Sequence, residues 1–207
     1  MAELEIIGVP FSNFVWAVRA CCEEKGVAYT LNPARPHSPE VLAVHPFGKI
    51  PALRHGDVLL AETRAIIGYI DAVFPGKKVL PQEPLAMAKA EEWLSIINTT
   101  IDQVCMRQFI VPLVFGGVKD RATLAPVVAA LQKQVAWIEG ALAGDFALPM
   151  GFSAVDADLV PILNYINGQP EGASAIAAAP KVSAYLQRLL AYPAMVKSAP
   201  PPRPAKA

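Results

Sequence analysis

The sequence predicts an α/β domain of order β-α-β-α-β-β-α followed by an all-helical domain. Three observations carry this. Up to Phe74 the apolar residues fall in short runs cut by glycine and proline, separated by stretches of helical spacing. Residues 75–84 then hold Pro75, Gly76, Pro81 and Pro84 beside two lysines, the composition of a linker. Beyond them apolar residues recur only at helical spacing. The boundaries follow as 1–76 for the first domain, 77–84 for the linker, 85–198 for the helical domain and 199–207 for a tail. That tail is too rich in proline to pack as one element and is expected to stay unstructured.

Leu4–Val9 is a short apolar run ending at Gly8 and Pro10, a buried strand entering a turn. Val15, Val18 and Cys22 recur at helical spacing up to Gly26, a helix stop, and Val27–Leu31 reads as the second strand. Pro33, Pro36 and Pro39 leave room for one short helix between Ser38 and His45. Pro51–His55 and Val58–Ala61 flank Gly56-Asp57, a pair suited to a tight hairpin turn. Thr63 offers an N-cap hydroxyl to a helix with Ile66, Ile70 and Val73 on one face. In the second domain Trp93, Ile97, Ile101 and Val104 form one stripe, and Leu124, Val127, Leu131, Val135, Ile138 and Leu142 a second. Ser153 and Asp156 form a capping box ahead of Val155, Leu159, Ile162 and Ile166, and a last helix spans about Pro180–Leu190.

Composition excludes several functions. Lys plus Arg and Asp plus Glu number 18 each, so no overall field draws nucleic acid or an anionic membrane. Apolar stretches such as Phe109–Val118 are about half of the roughly 20 residues a bilayer span needs. The acids at Glu3 and Glu5 stand where a secretory signal needs basic residues, so secretion is not expected. Three cysteines, two of them adjacent, form neither a disulfide framework nor a metal-ligand set, and three histidines show no ligand spacing. A reducing, cytoplasmic compartment and no metal are expected.

Three segments carry a resemblance. Gly8-Val9-Pro10-Phe11-Ser12, His45-Pro46-Phe47-Gly48-Lys49-Ile50-Pro51, and Gly56-Asp57 with Glu62-Thr63-Arg64-Ala65-Ile66 are similar, in order and spacing, to segments of the serine-type, phi-like and theta-like, cytosolic glutathione transferases. His45 stands where those proteins more often carry Asn, Thr63 where they carry Ser, and Trp16 where the phi-like pattern has a smaller or basic residue. The resemblance implies a thioredoxin-like first domain, glutathione as co-substrate, a homodimer, and a cis Ile50–Pro51 peptide.

The chemistry at each position agrees with it. Ser12 lies in the turn from strand to helix, where backbone N–H groups and the positive helix end favour an anion such as a thiolate. A free thiol with a pKa of about 8.5 is mostly protonated at neutral pH, and each unit of depression needs about 1.4 kcal/mol. One hydroxyl donating to a charged acceptor supplies roughly 1.5–3 kcal/mol. Ser12 is thus read as a donor to the glutathione sulfur, although serine is also a common helix cap. A serine hydrolase is a poor reading, since no Gly-x-Ser-x-Gly elbow is present.

By resemblance, Ile50 and Pro51 bind the cysteinyl backbone as an added strand would, Glu62 takes the γ-glutamyl ammonium, Thr63 its carboxylate, and Lys49 and His37 the glycyl carboxylate. Phe11, Met106, Phe109 and Ile110 are the apolar candidates for an electrophile. Asp102 is a candidate to reach a partner subunit's glutathione. The expected reaction is attack of the glutathione thiolate on a small apolar electrophile. A glutathione-dependent peroxidase, isomerase or dehalogenase, or a ligand carrier without turnover, would use the same first domain.

Overall fold

The structure is a computed structural model and describes residues 3–202. The chain divides into two units: one runs to Leu80 and takes in the stretch from Tyr192, and the other is Pro81–Ala191.

The first unit is built on a four-stranded sheet of order β2-β1-β3-β4, with β1 at Leu4–Ile7, β2 at Thr30–Asn32, β3 at Ala52–His55 and β4 at Val58–Ala61. β1 runs parallel to β2 and antiparallel to β3, and Ile6 lies opposite both Leu31 and Leu53. Helix α1, Asn13–Lys25, crosses between the parallel strands; α2 is Pro39–Leu42 and α3 is Thr63–Val73. Gly26 ends α1 in the left-handed region at φ 73°, and the Gly26 and Val27 N–H groups donate to Glu23 and Cys22 carbonyls. This C-cap uses the Val27 backbone, so β2 starts at Thr30 and not at Val27 as the apolar run suggested. Ile7, Val41 and Ala52, fully buried, seat α2 and the half-buried Val44 and Ile50 on the sheet.

Two expectations for α3 are corrected. Thr63 is its first helical residue, and the capping position falls to Glu62, which makes no side-chain cap bond. Val73 is 51% exposed, because Ile66, Ile67 and Ile70 already fill the face turned to the core. A further helix, α10 at Pro193–Ser198, was not expected. It packs on α1 within the first unit, where the Trp16 indole Nε1 donates to Ser198 Oγ at 3.1 Å. The helical domain drawn to residue 198 therefore ends earlier, at Ala191. Of the tail, residues 199–202 form no helix or strand, and residues 203–207 lie outside the described residues.

In the second unit α4, Pro84–Ile96, continues into Ile97–Ile101 and Gln103–Ile110, where the backbone bonds follow the wider i→i+5 pattern, and then into α5, Val111–Val114. The wider turn moves the buried line onto Ile97, Ile101, Cys105, Met106, Phe109 and Ile110, leaving Val104 half-buried. Helices α6 at Ala125–Ala141, α7 at Ala154–Asn167, α8 at Pro170–Ala177 and α9 at Pro180–Leu190 complete it. The capping box forms at the head of α7. The Asp156 carboxylate accepts from Ser153 N–H and Oγ–H, Ala147 N–H and Tyr185 O–H, all at 2.8–2.9 Å. Burial nonetheless pushes the Asp156 carboxyl above its ordinary range.

Candidate functional site

Gly8 sets the geometry at the end of β1. Its φ is +153°, and a Cβ there would lie 2.6 Å from Val15 Cγ2 and 3.1 Å from Ile50 Cβ. Only glycine lets the first turn of α1 and the Ile50 side chain close on the strand end together. Ser12 caps α1 with extended backbone, and its Oγ accepts from Val15 N–H at a long 3.4 Å. No acid occupies the first turn. Ser12 is half-buried, and among the described residues its hydroxyl donates to no protein group. Phe11, beside it, is also half-buried.

The segment from His37 to Pro51 folds onto the same end of the sheet. His37 takes φ 63°, donates its N–H to the Gly48 carbonyl at 2.8 Å, and rests its ring against Gly48, where a Cβ would lie 2.3 Å from Nδ1. Gly48 itself has φ 64°. The Ile50–Pro51 peptide is cis. Pro51 is buried, Ile50 half-buried, and His37 and Lys49 are exposed.

Glu62 is the second non-glycine residue at positive φ, 72°, a conformation that costs of order 1–3 kcal/mol and clusters at functional sites. Its carbonyl accepts from Ile66 N–H at 3.0 Å, so it opens α3 while its side chain stays 70% exposed. Thr63 is buried at 7% exposure. Sequence reasoning missed His45 as a member of this group. His45 is 2% exposed, accepts the Phe47 N–H on Nδ1 at 3.2 Å and places Nε2 3.3 Å from Glu62 Oε1. Its signal was present, a histidine in place of the more usual Asn directly before Pro46, but spacing alone points to no partner.

In the helical unit the apolar candidates are placed differently from an open wall. Met106 and Ile110 are 5% and 4% exposed, and Phe109 has no exposed surface. Asp102 is 1% exposed and accepts from Arg107 Nε at 2.8 Å. All three cysteines are buried, and burial pushes the Cys22 and Cys105 thiols up to about 12. Among the described residues no group of three His, Cys, Asp or Glu could hold a metal ion, and no helix is long and apolar enough to cross a membrane.

Comparison with known proteins agrees with this fold. The model of the glutathione S-transferase N-terminal domain matches residues 6–78. Glutathione S-transferase 3 of Zea mays is 32% identical, covering 96% of this chain and 94% of that protein. The chain belongs to the glutathione S-transferase family. Among solved structures, glutathione S-transferase III in apo form is similar over 99% of this chain and 100% of its own, at 31% identity and a TM-score of 0.82. Glutathione S-transferase-I bound with the ligand lactoylglutathione is similar over 96% of this chain and 99% of its own, at 26% identity and a TM-score of 0.80.

Proposed function

We infer that the chain is a glutathione transferase that binds glutathione on its first unit and holds the sulfur as a thiolate against Ser12. The observation that supports this most is the Ser12 hydroxyl, half-buried at the N-terminus of α1 and, among the described residues, donating to no protein group. A donor so placed stabilises an anion without reorganising first. In this reading Ile50 and Pro51 pair with the cysteinyl backbone, Glu62 takes the γ-glutamyl ammonium, and Thr63 with the first N–H groups of α3 takes its carboxylate. Lys49 and His37, both exposed on the same loop, take the glycyl carboxylate. The thiol proton passes to solvent. The thiolate then forms a sulfur–carbon bond to an apolar electrophile, for an aryl halide with departure of halide. Phe11 meets the electrophile from the Ser12 side. Met106, Phe109 and Ile110 are buried and are the apolar candidates on the helical unit. The working form is a cytoplasmic homodimer.

The test is retention on immobilised glutathione together with conjugation of an aryl halide by wild type and Ser12→Ala. Retention with a rate that drops at least about tenfold on losing one charge-assisted hydrogen bond supports the reading. Absence of glutathione binding would sink it. Binding without Ser12-dependent turnover on either aryl halides or peroxides would leave a ligand carrier.

A further inference from the structure

We propose that His45 is a positioning residue for the γ-glutamyl end of glutathione, tying the loop that leads to Ile50 to the carboxylate of Glu62. This rests on the reading of Glu62 as the ammonium ligand. The ring's two nitrogens have separate duties. Nδ1 accepts a backbone N–H from Phe47 at 3.2 Å, so it carries no proton in this arrangement, and the ring proton sits on Nε2. Nε2 lies 3.3 Å from Glu62 Oε1, so the protonated nitrogen is the one beside that carboxylate. The ring is buried, and its backbone is held on both sides, with the His45 N–H on the Val41 carbonyl at 2.7 Å and the Gly48 N–H on the His45 carbonyl at 2.9 Å. The donor is rigid, whereas its acceptor is a side chain 70% exposed at a backbone φ of 72°.

A long, exposed carboxylate samples several rotamers, and fixing one of them before a ligand arrives lowers the entropic cost of binding. A neutral donor suits this task. It orients the carboxylate while leaving its negative charge for an ammonium, which a lysine or arginine in its place would neutralise. The contact also links the two segments that hold different parts of one ligand, so a shift in either is transmitted to the other.

Three variants separate the ring's duties. His45→Asn keeps an acceptor for Phe47 N–H near the position of Nδ1 and places nothing near Glu62. His45→Gln carries an amide N–H out to about the reach of Nε2. His45→Phe removes both contacts. Affinity is measured by calorimetry for glutathione and for glutathione lacking its γ-glutamyl amino group, with circular dichroism confirming the fold. His45→Asn is expected to weaken glutathione about threefold to tenfold, a fraction of one charge-assisted hydrogen bond, and to leave the deaminated peptide unchanged. His45→Gln should recover most of the loss. In a Glu62→Gln background the His45→Asn effect should vanish.

Equal weakening of both ligands by His45→Asn would overturn the proposal and make His45 a support of the loop only. No weakening of either would overturn it as well. If His45→Phe does not fold, the Asn and Gln pair decides the question. Wild type binding both peptides equally would instead refute the ammonium role of Glu62 itself, and the proposal would fall with it.

Discussion

The two ends of α1 use their polar groups in opposite ways. At the C-terminal end nearly everything is spent on the fold. Lys25, buried, gives one N–H to Asp71 Oδ1 and another to the Lys77 carbonyl, each at 3.1 Å. Asp71 also accepts Val79 N–H at 2.9 Å, and Glu24 gathers Lys77 and the Tyr192 hydroxyl. At the N-terminal end Ser12 has one long contact and a hydroxyl that donates to no described protein group. A helix anchored at one end can keep the other open for a ligand without fraying.

The anchored end should break hardest. Asp71→Ala leaves Lys25 charged and buried without its carboxylate, and is expected to cost about 3–5 kcal/mol in denaturant unfolding. The protein that remains folded should bind glutathione as before. A cost under about 1 kcal/mol would show that this end is no anchor.

Ser12→Ala should do the reverse. Stability is expected to fall by no more than about 1 kcal/mol, the worth of a cap. The thiol pKa of bound glutathione should rise by about one to two units, and kcat/KM at neutral pH should drop about tenfold to a hundredfold. Since the variant needs a higher pH to form its thiolate, the deficit should shrink as pH rises, which a pH–rate profile reads directly. A deficit constant with pH would mean that Ser12 does not act through the thiol proton.

Tyr192→Phe removes one link of the anchor. Losing its bond to Glu24 should cost about 0.5–1.5 kcal/mol of stability and leave the thiol pKa of bound glutathione unmoved. The smallest effect concerns the protein's own thiols. Cys22 and Cys105, with pKa values pushed up to about 12 by burial, should resist a thiol reagent at mildly alkaline pH in the native protein and react on unfolding. Rapid native labelling of either would show that α1 or the i→i+5 segment opens readily.

The site was legible in uneven measure. As candidates, Ser12, Ile50-Pro51 and Glu62-Thr63 could be named from local segments that resemble those of the family and whose residue types announce a strand end, a turn or a helix start. His45 could not be joined to Glu62, because 17 positions separate them and the contact exists only once the sheet brings the loop and the head of α3 together. The positive φ values at His37 and Glu62 were hidden for the same reason, since nothing local asks a histidine or a glutamate to adopt them.

What the sequence determined by itself was the order of the main elements, the stop at Gly26, the hairpin at Gly56-Asp57 and the capping box at Ser153-Asp156, because each depends on residues within one or two turns of each other. Tertiary structure alone decided where α10 goes and which residues of the fourth helical stretch are buried. A six-residue helix is too short to form by its own hydrogen bonds, and α10 packs on α1 where Ser198 meets Trp16. The buried line from Ile97 to Ile110 follows the widened turn, a register that apolar spacing read at ordinary helical period does not reveal.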